Sequence, residues 1–450
     1  MRLAGRNVVV LGLGISGVAA ALFCARRGGR VMGVDRRLSL GSDIEHQLRE
    51  EGVRLHLGDD TVVADADALV LVSPGVDPRR RDLDAARQAG AELSAEIELA
   101  LQALAEGQDE PELVAVSGTN GKSTTVALIE QILSGLGQKV FAGANFGRPL
   151  VEAVSMDLDT IVAEFSSYQL EQAASLRPRV GVLMNVQEDH LARHGTMDVY
   201  AAIKALVLQR VHENGLAIYD HDDPRCVAAA ANLQVKTASF GSQAPAGDGA
   251  WCTADTMFVR LGECKYSLDL SDFGLLGEHN RRNLMAAVLT CAGLGITPDQ
   301  SEALIVSLKA LPHRLEAVPT NDGRRWINDS KSTNVAATIV SLAAVTPPVV
   351  LLMGGQGKGE SYRPLAQRCV DLRAVVTFGE EGPAIADTLE GAGCRVQRSD
   401  DLASAVDRAR SLAAEGTAIV LSPACASWDA YGNFGERGAH FRALAAGGAS

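Results

Sequence analysis

Short runs of β-branched and aliphatic residues alternate along this chain with longer segments of helical period, and most runs close on glycine or polar residues. Val8–Leu11, Val31–Val34 and Ala68–Val72 are apolar almost throughout. Strands covered on both faces of a parallel sheet have this pattern. Helices begin near Ser16 and Asp43, and a helical segment covers Glu96–Ala105. The stretch 106–112, Glu-Gly-Gln-Asp-Glu-Pro-Glu, has neither period and reads as a linker. A strand at Leu113–Ser117 restarts the pattern, with others at Thr160–Ala163 and Val180–Met184. Around Trp251–Leu270 it becomes hairpin-like, and a helix follows from about Asn280 to Leu294. A third stretch opens near Pro312-His313-Arg314, with strands at Trp326–Asn328, Val349–Met353, Ala374–Phe378 and Ala418–Leu421. The alternation predicts an α/β protein of three domains, at 1–106, 107–310 and 311–450. Polar motifs fall at the carboxyl ends of its strands, where open sheets bind ligands.

Composition narrows the class. The 450 residues are 47% hydrophobic and 22% charged, a globular balance with a net charge of −13. That charge argues against general nucleic-acid binding, which needs a surplus of Lys and Arg. The eight cysteines form no CxxC pair and read as reduced cytosolic thiols, against structural zinc. Arg2 and Arg6 ahead of the apolar run Val8–Ala25 loosely mimic a signal peptide, but Gly12, Gly14 and Gly17 interrupt it. It splits into a strand, a turn and a helix, and no other segment resembles a targeting or membrane sequence.

Two glycine turns carry candidate chemistry. Gly118-Thr119-Asn120-Gly121-Lys122-Ser123-Thr124 joins a strand to a helix. Its backbone N–H groups, helix dipole and Lys122 suit phosphate, and Ser123 or Thr124 can hold Mg²⁺. It is a variant, with Val116 where the strict phosphate-loop pattern has glycine. The other turn, Gly12-Leu13-Gly14-Ile15-Ser16-Gly17 with Asp35 after the next strand, reads by itself as a dinucleotide site. That alternative is an NAD-dependent oxidoreductase, but nothing downstream offers a hydride-transfer constellation.

The Gly118–Thr124 segment resembles the ATP loop of the Mur ligases and folylpolyglutamate synthetases. Further segments resemble the Mur ligase family in order and spacing: Gly12–Gly17, Ser73-Pro74-Gly75, Glu164–Leu170, Asn185–His190, Gly277–Asn280, Pro312–Arg314, Asn328–Asn334 and Ser422–Ser427. Asp329-Ser330-Lys331-Ser332-Thr333-Asn334 and Ser422-Pro423-Ala424-Cys425-Ala426-Ser427 resemble the D-glutamate-adding branch. The Asp-x-Ala-His-Asn-Pro segment usual in diamino-acid-adding relatives is missing.

The resemblance implies a Rossmann-like first domain, a central phosphate-loop domain and a Rossmann-like third domain. It implies a cytoplasmic, monomeric, ATP- and Mg²⁺-dependent ligase without nucleic-acid or membrane partners. The substrates would be UDP-N-acetylmuramoyl-L-alanine and D-glutamate, joined through an acyl phosphate during peptidoglycan precursor synthesis. Lys122, Glu164, His190 and Lys204 are then catalytic. Ser123, Glu164, His190 and a carbamate on Lys204 are the metal ligands. Gly118 to Thr124, Asn283, Arg314 and Asp329 contact ATP. Ile15, Ser16, Asp35, Arg36, Ser73, Pro74, Gly75, Asn145 and Ser166 contact the UDP substrate. Thr333, Lys358, Ser427, Trp428 and Phe434 contact the amino acid. Without the resemblance, Lys204 reads as a solvated helix lysine, Glu164 as a helix-capping acid, and Asp35 and Ser73 as strand-ending or capping residues. The chain departs from the family at Ala192, where the usual Asp-His-x-Asp has its second acid, and at Trp428, where Leu or Phe is common.

Overall fold

The computed structural model describes residues 3–77, 79–107, 110–189 and 191–447, without the side chains of 191 and 192. They form three sheets. The chain divides into two compact units: Met1–Phe273 with Arg282–Ser307, and Gly274–Arg281 with Leu308–Ser450.

The first unit holds two sheets. One has five parallel strands in the spatial order Arg54–Leu57, Arg30–Asp35, Asn7–Leu11, Leu69–Val72 and Glu92–Ser94. The chain winds outward from Asn7–Leu11 to one side and then to the other. This leaves a crevice beyond the ends of Asn7–Leu11 and Leu69–Val72, the usual ligand position in such sheets. Helix Ile15–Arg26 begins at that crevice. It packs so closely on the preceding turn that a Cβ on Gly17 would lie 1.9 Å from the Gly12 carbonyl oxygen. The run Val8–Ala25 is thus strand, turn and helix, and among the described residues no helix is long and apolar enough to cross a membrane.

The nine-stranded sheet of the same unit begins with Val140–Ala144, Thr160–Glu164, Glu112–Ser117, Val180–Leu183, Leu216–Asp220, Lys236–Gly241 and Gly249–Thr253, all parallel. Antiparallel Thr256–Leu261 and Cys264–Asp269 extend it, as the hairpin-like pattern predicts. Glu112–Ser117 lies between Thr160–Glu164 and Val180–Leu183, so three strand ends converge on the loop after Ser117. The second unit contains a six-stranded sheet in the order Glu316–Val318, Arg325–Asn328, Ala418–Leu421, Val349–Gly354, Ala374–Phe378 and Val396–Arg398, with only the first antiparallel. Apolar clusters built on Leu351 and Val420 and on Leu352 and Ile419 form its core.

In the first unit one apolar cluster runs from Val10 and Phe23 through Leu99 to Phe141, Leu150 and Leu183, joining the two sheets. Helix Glu96–Ala105 lies in this seam and contributes two buried carboxylates. Glu96 accepts from the Val151 N–H at 2.7 Å. Glu98 accepts from the Ser175 N–H at 3.0 Å and the Ser175 hydroxyl at 2.5 Å. Residues 106–112 run from this helix toward strand Glu112–Ser117, with 108 and 109 outside the described residues.

Burial raises the Glu96 pKa from 4.5 to about 7, against the pull of the Val151 N–H. Between those pKa values the folded chain holds a proton that the unfolded chain releases. Stability therefore falls as pH rises through this window, by about 3 kcal/mol in all. Glu96→Gln keeps an oxygen for Val151 and removes the titration. It is expected to flatten thermal stability between about pH 5 and 7 and to exceed wild type above that. An unchanged slope in the variant would show that other groups set it.

Candidate active site

The loop after strand Glu112–Ser117 is built for an anion. Gly118 has φ +152° and Gly121 φ +85°, the latter capping helix Lys122–Gly135 in the left-handed conformation. These angles turn backbone N–H groups toward one space at the helix N-terminus. The loop is braced by the segment after the neighbouring strand. Asn120 N–H donates to Asn185 Oδ1 at 2.8 Å, Asn185 Nδ2 returns a bond to the Asn120 carbonyl at 3.1 Å, and Asn120 Nδ2 donates to Gln187 Oε1 at 3.0 Å. Lys122 Nζ donates to the Thr119 carbonyl at 2.8 Å, which keeps its charge at the loop. Buried Asn283 lies alongside, its Oδ1 accepting from the Thr125 hydroxyl at 3.4 Å.

Beside the loop are two buried ionisable groups. Glu164, at the end of its strand, is 2% exposed. Its Oε1 accepts from Asn145 Nδ2 at 2.7 Å, while buried Oε2 has no hydrogen-bond partner among the described residues. Glu164 does not cap the following helix. Ser166 does, in a capping box with Gln169. Lys204 is also 2% exposed, so it is not a solvated helix lysine. Its Nζ lies 3.5 Å from Ser117 Oγ and 5.0 Å from the Tyr200 ring centroid. Burial, reinforced by the Lys122 charge and opposed by Asp189 and Glu164, lowers its pKa to about 7. Much of this lysine is therefore a neutral amine at neutral pH. Tyr200 links it to the loop through a 3.2 Å contact between its hydroxyl and Thr119 Oγ1. His190 lies outside the described residues.

The UDP candidates sit at the crevice of the five-stranded sheet. Ser73 Oγ donates to the Gly12 carbonyl at 2.6 Å and closes the two strand ends together. Ile15 is 74% exposed, and Ser16, Arg36, Pro74 and Gly75 reach the surface around it. Asp35 is buried and saturated: its carboxylate accepts from Leu13 N–H at 2.7 Å, Arg37 N–H at 2.9 Å and the Arg37 guanidinium. The carboxylate on which the dinucleotide reading relied is thus committed to its own turn. Arg193 ties this region to the nine-stranded sheet, reaching Asp77 at 3.6 Å and Glu171 at 3.2 Å. Asn145 and Ser166 stand at the other sheet, beside Glu164.

In the second unit the amino-acid candidates gather at the strand ends. Lys358 Nζ lies 3.5 Å from Thr333 Oγ1, and Lys331 Nζ stands 4.0 Å from the Phe434 ring centroid. Ser427 is buried beside the exposed Trp428. Arg314 lies near His279, whose pKa is lowered by burial and then by that arginine. Asp329 is turned inward, accepting from Ser341 Oγ at 2.5 Å, Ser422 Oγ at 2.8 Å and Leu315 N–H at 3.2 Å. It follows its strand directly, and its carboxylate is committed to these three partners.

Several structural contributors escaped sequence reasoning. Ser117 and Tyr200 flank Lys204, and Arg437 lies under the second unit's strand ends with no motif around it. For Lys204 a signal existed: Tyr200, Val207 and Leu208, at spacings of four, three and four, are all buried on the same helix.

Two sheets in one unit, a third in the other and a glycine loop at a convergence of strand ends are the frame of a nucleotide-binding α/β enzyme. The chain belongs to the Mur ligase family, a class of ATP-dependent ligases. Residues 116–291 match the Mur ligase middle domain, 313–425 the Mur ligase glutamate ligase domain, and 6–95 the MurD-like N-terminal domain. Similar proteins include the UDP-N-acetylmuramoylalanine–D-glutamate ligases of Anaeromyxobacter dehalogenans, 39% identical over 98% of both chains, and Pelotomaculum thermopropionicum, 36% identical over 98% of this chain and 97% of that one. The MurF ligase of Thermotoga maritima, solved with ADP, shares the fold with a TM-score of 0.60 at 19% identity, over 93% of this chain and 94% of that one. A pseudomurein peptide ligase type C from Methanothermus fervidus gives 0.59 at 17%, over 93% and 97%.

A Cβ on Gly118 would fall 2.8 Å from Met184 Cβ, at a φ that side chains rarely adopt. Gly118→Ala is therefore expected to cost about 1–3 kcal/mol, read as a lower unfolding temperature by calorimetry. An unchanged unfolding temperature would mean the loop is not held by its neighbours.

Proposed function

We propose that this chain uses ATP to join D-glutamate to UDP-N-acetylmuramoyl-L-alanine, a step in peptidoglycan precursor synthesis, as a cytoplasmic monomer. The substrate carboxylate attacks the γ-phosphorus and ADP leaves, giving an acyl phosphate. The D-glutamate amine then attacks the acyl carbon, and the tetrahedral intermediate expels phosphate. The observation that carries this reading is the loop of Gly118–Lys122 flanked by Glu164 and the buried, half-neutral Lys204. Full-length kinship with D-glutamate ligases selects the amino acid.

Glu164 Oε2, buried and without a hydrogen-bond partner among the described residues, fits a hard cation that prefers oxygen ligands, such as Mg²⁺. Ser123, Glu164, His190 and a Lys204 carbamate would hold it, and when bound it offsets triphosphate charge. Lys122 binds the phosphates, and Asn145 orients Glu164 through its amide. A neutral Lys204 amine can add carbon dioxide, forming an N–C bond and losing a proton to solvent. The product is an anion where a cation stood. Asn283, Arg314 and Asp329 serve ATP, and the crevice at Ile15, Ser16, Asp35, Arg36 and Ser73-Pro74-Gly75 holds the uridine diphosphate. Thr333, Lys358, Ser427, Trp428 and Phe434 receive D-glutamate, whose two carboxylates need fixed cations and neutral donors.

If Lys204 works as a carbamate, Lys204→Ala is expected to lose about a hundredfold or more in rate. Acetate or formate would fill the vacated space with an anion and restore part of the activity. Full activity of the alanine variant would reduce the lysine to a packing residue.

Acceptor choice is tested by phosphate release from ATP with the uridine-linked substrate and a panel of amino acids. D-glutamate is expected to be used, with L-glutamate and D-alanine poor. Lys358→Ala is expected to raise the KM for D-glutamate roughly 10- to 100-fold, the cost of a hydrogen bond to a charged group, with little change for ATP. Equal use of L-glutamate, or preference for a diamino acid, would move the chain to another branch of the family.

A further inference from the structure

Arg437 has no exposed surface, yet its guanidinium meets no carboxylate among its hydrogen-bond partners. All five of its N–H groups are used. Nε donates to Ser330 Oγ at 3.0 Å, Nη1 to the carbonyls of Gly354 at 3.3 Å and Ala426 at 3.1 Å, and Nη2 to the carbonyls of Ser330 at 2.9 Å and Cys425 at 3.0 Å. Every acceptor is a neutral oxygen. Burial lowers its pKa only to about 10, so it remains charged at neutral pH. A buried cation that hydrogen-bonds to no carboxylate, with Asp429 acting on it only through its field, is costly, and an apolar side chain in its place would ordinarily be more stable.

The acceptors explain what the cation does there. Ser330 leads directly into Lys331 and Thr333. Gly354 opens the glycine loop that carries Lys358. Cys425 and Ala426 lead into Ser427. One planar fork thus ties the three loops that bear the acceptor candidates. The remaining candidate, Phe434, starts the helix that carries Arg437, and its carbonyl accepts from Ser330 Oγ at 2.8 Å.

We infer that Arg437 is the positioning residue of the acceptor pocket: it sets the spacing of the three loops and places a fixed positive charge beneath them. The inference rests on the D-glutamate reading above. Arg437 touches no substrate atom. It acts through the loops and through its field, which favours a dianionic amino acid over a neutral one: no carboxylate hydrogen-bonds to the guanidinium, and the attraction of Asp429 acts on it only from beyond hydrogen-bond contact. Lysine would keep the charge but lose the fork, and methionine would lose both.

The test compares full-length wild type, Arg437→Lys and Arg437→Met by phosphate release, with unfolding temperatures recorded. The expected result for Arg437→Met is a KM for D-glutamate raised roughly 10- to 100-fold. The KM values for ATP and the uridine-linked substrate should stay within about threefold, and Arg437→Lys should fall between. The preference for D-glutamate over D-glutamine, as a ratio of kcat/KM, should shrink about tenfold in Arg437→Met, a change that loosened packing alone would not produce. An unchanged preference, or a parallel rise in all three KM values, overturns the inference. If Arg437→Met does not fold, the same two comparisons on Arg437→Lys decide, with smaller expected changes. Wild type that does not use D-glutamate defeats the acceptor reading itself, a different result from wild type that uses it while the variants match wild type.

Discussion

A charge taken out of water must be neutralised, paired or surrounded by donors and acceptors, and this chain buries one at nearly every strand end that matters. Asp35 is surrounded by N–H groups and a guanidinium. Asp329 is held by two hydroxyls and an N–H, and Arg437 by five oxygens. Two groups are treated otherwise, and both flank the phosphate loop. Lys204 meets the cost by giving up its proton easily, and Glu164 leaves one buried oxygen without a partner among the described residues. The satisfied charges support the fold. The other two, beside the phosphate loop, mark a place suited to bound charge, and they do so without reference to any motif.

Parallel sheets explain why these groups collect where they do. Each central strand is covered on both faces, so its side chains must be apolar along its length. Polar chemistry gathers at the last ladder positions and in the loops beyond them. Thr160–Glu164 is buried at every position and ends on its only carboxylate. In the first unit the shared apolar cluster and the Arg193 link to Asp77 and Glu171 fix two such strand-end regions in one body. A substrate with a nucleotide at one end and a carboxylate at the other can then be bound by two sheets without either sheet contributing both functions.

The same constraint decides what could be read from the sequence. Central strands such as Val8–Leu11, Leu113–Ser117 and Ala418–Leu421 stand out because burial on both faces makes them continuous apolar runs. The strands the pattern leaves out are mostly sheet edges: Arg54–Leu57, Glu92–Ser94, Val140–Ala144, Glu316–Val318 and Val396–Arg398. Edges are covered on fewer sides and tolerate polar residues, and in Val140–Ala144 small Ala and Gly residues weaken the apolar run instead. Leu216–Asp220 and Lys236–Gly241 are interior but mix in Tyr219, Asp220, Thr237 and Ser239, which blurs them too. Within the site, motif position told where Glu164 and Asp329 would stand but not which way a carboxylate would face. Arg437 was illegible because its environment is made by three loops distant in sequence.

The two glycine turns show why a motif must be read with its surroundings. Gly12–Gly17 and Gly118–Lys122 each place a helix N-terminus at a strand end, and either could cradle phosphate. What separates them is the nearest acid. After the first turn Asp35 already has its full set of donors, so a ribose hydroxyl could bond to it only by displacing Arg37 or the Leu13 N–H. Displacing Arg37 would trade a guanidinium–carboxylate ion pair for a bond from a neutral hydroxyl, which is unfavourable, and displacing the Leu13 N–H would leave that donor unpaired. A ligand there must instead rely on backbone groups and on the exposed Ile15 and Arg36. A nucleotide held by its diphosphate and base meets that condition without needing the acid. Beside the second turn Glu164 still has an oxygen to give, and there the chemistry of the triphosphate can take place.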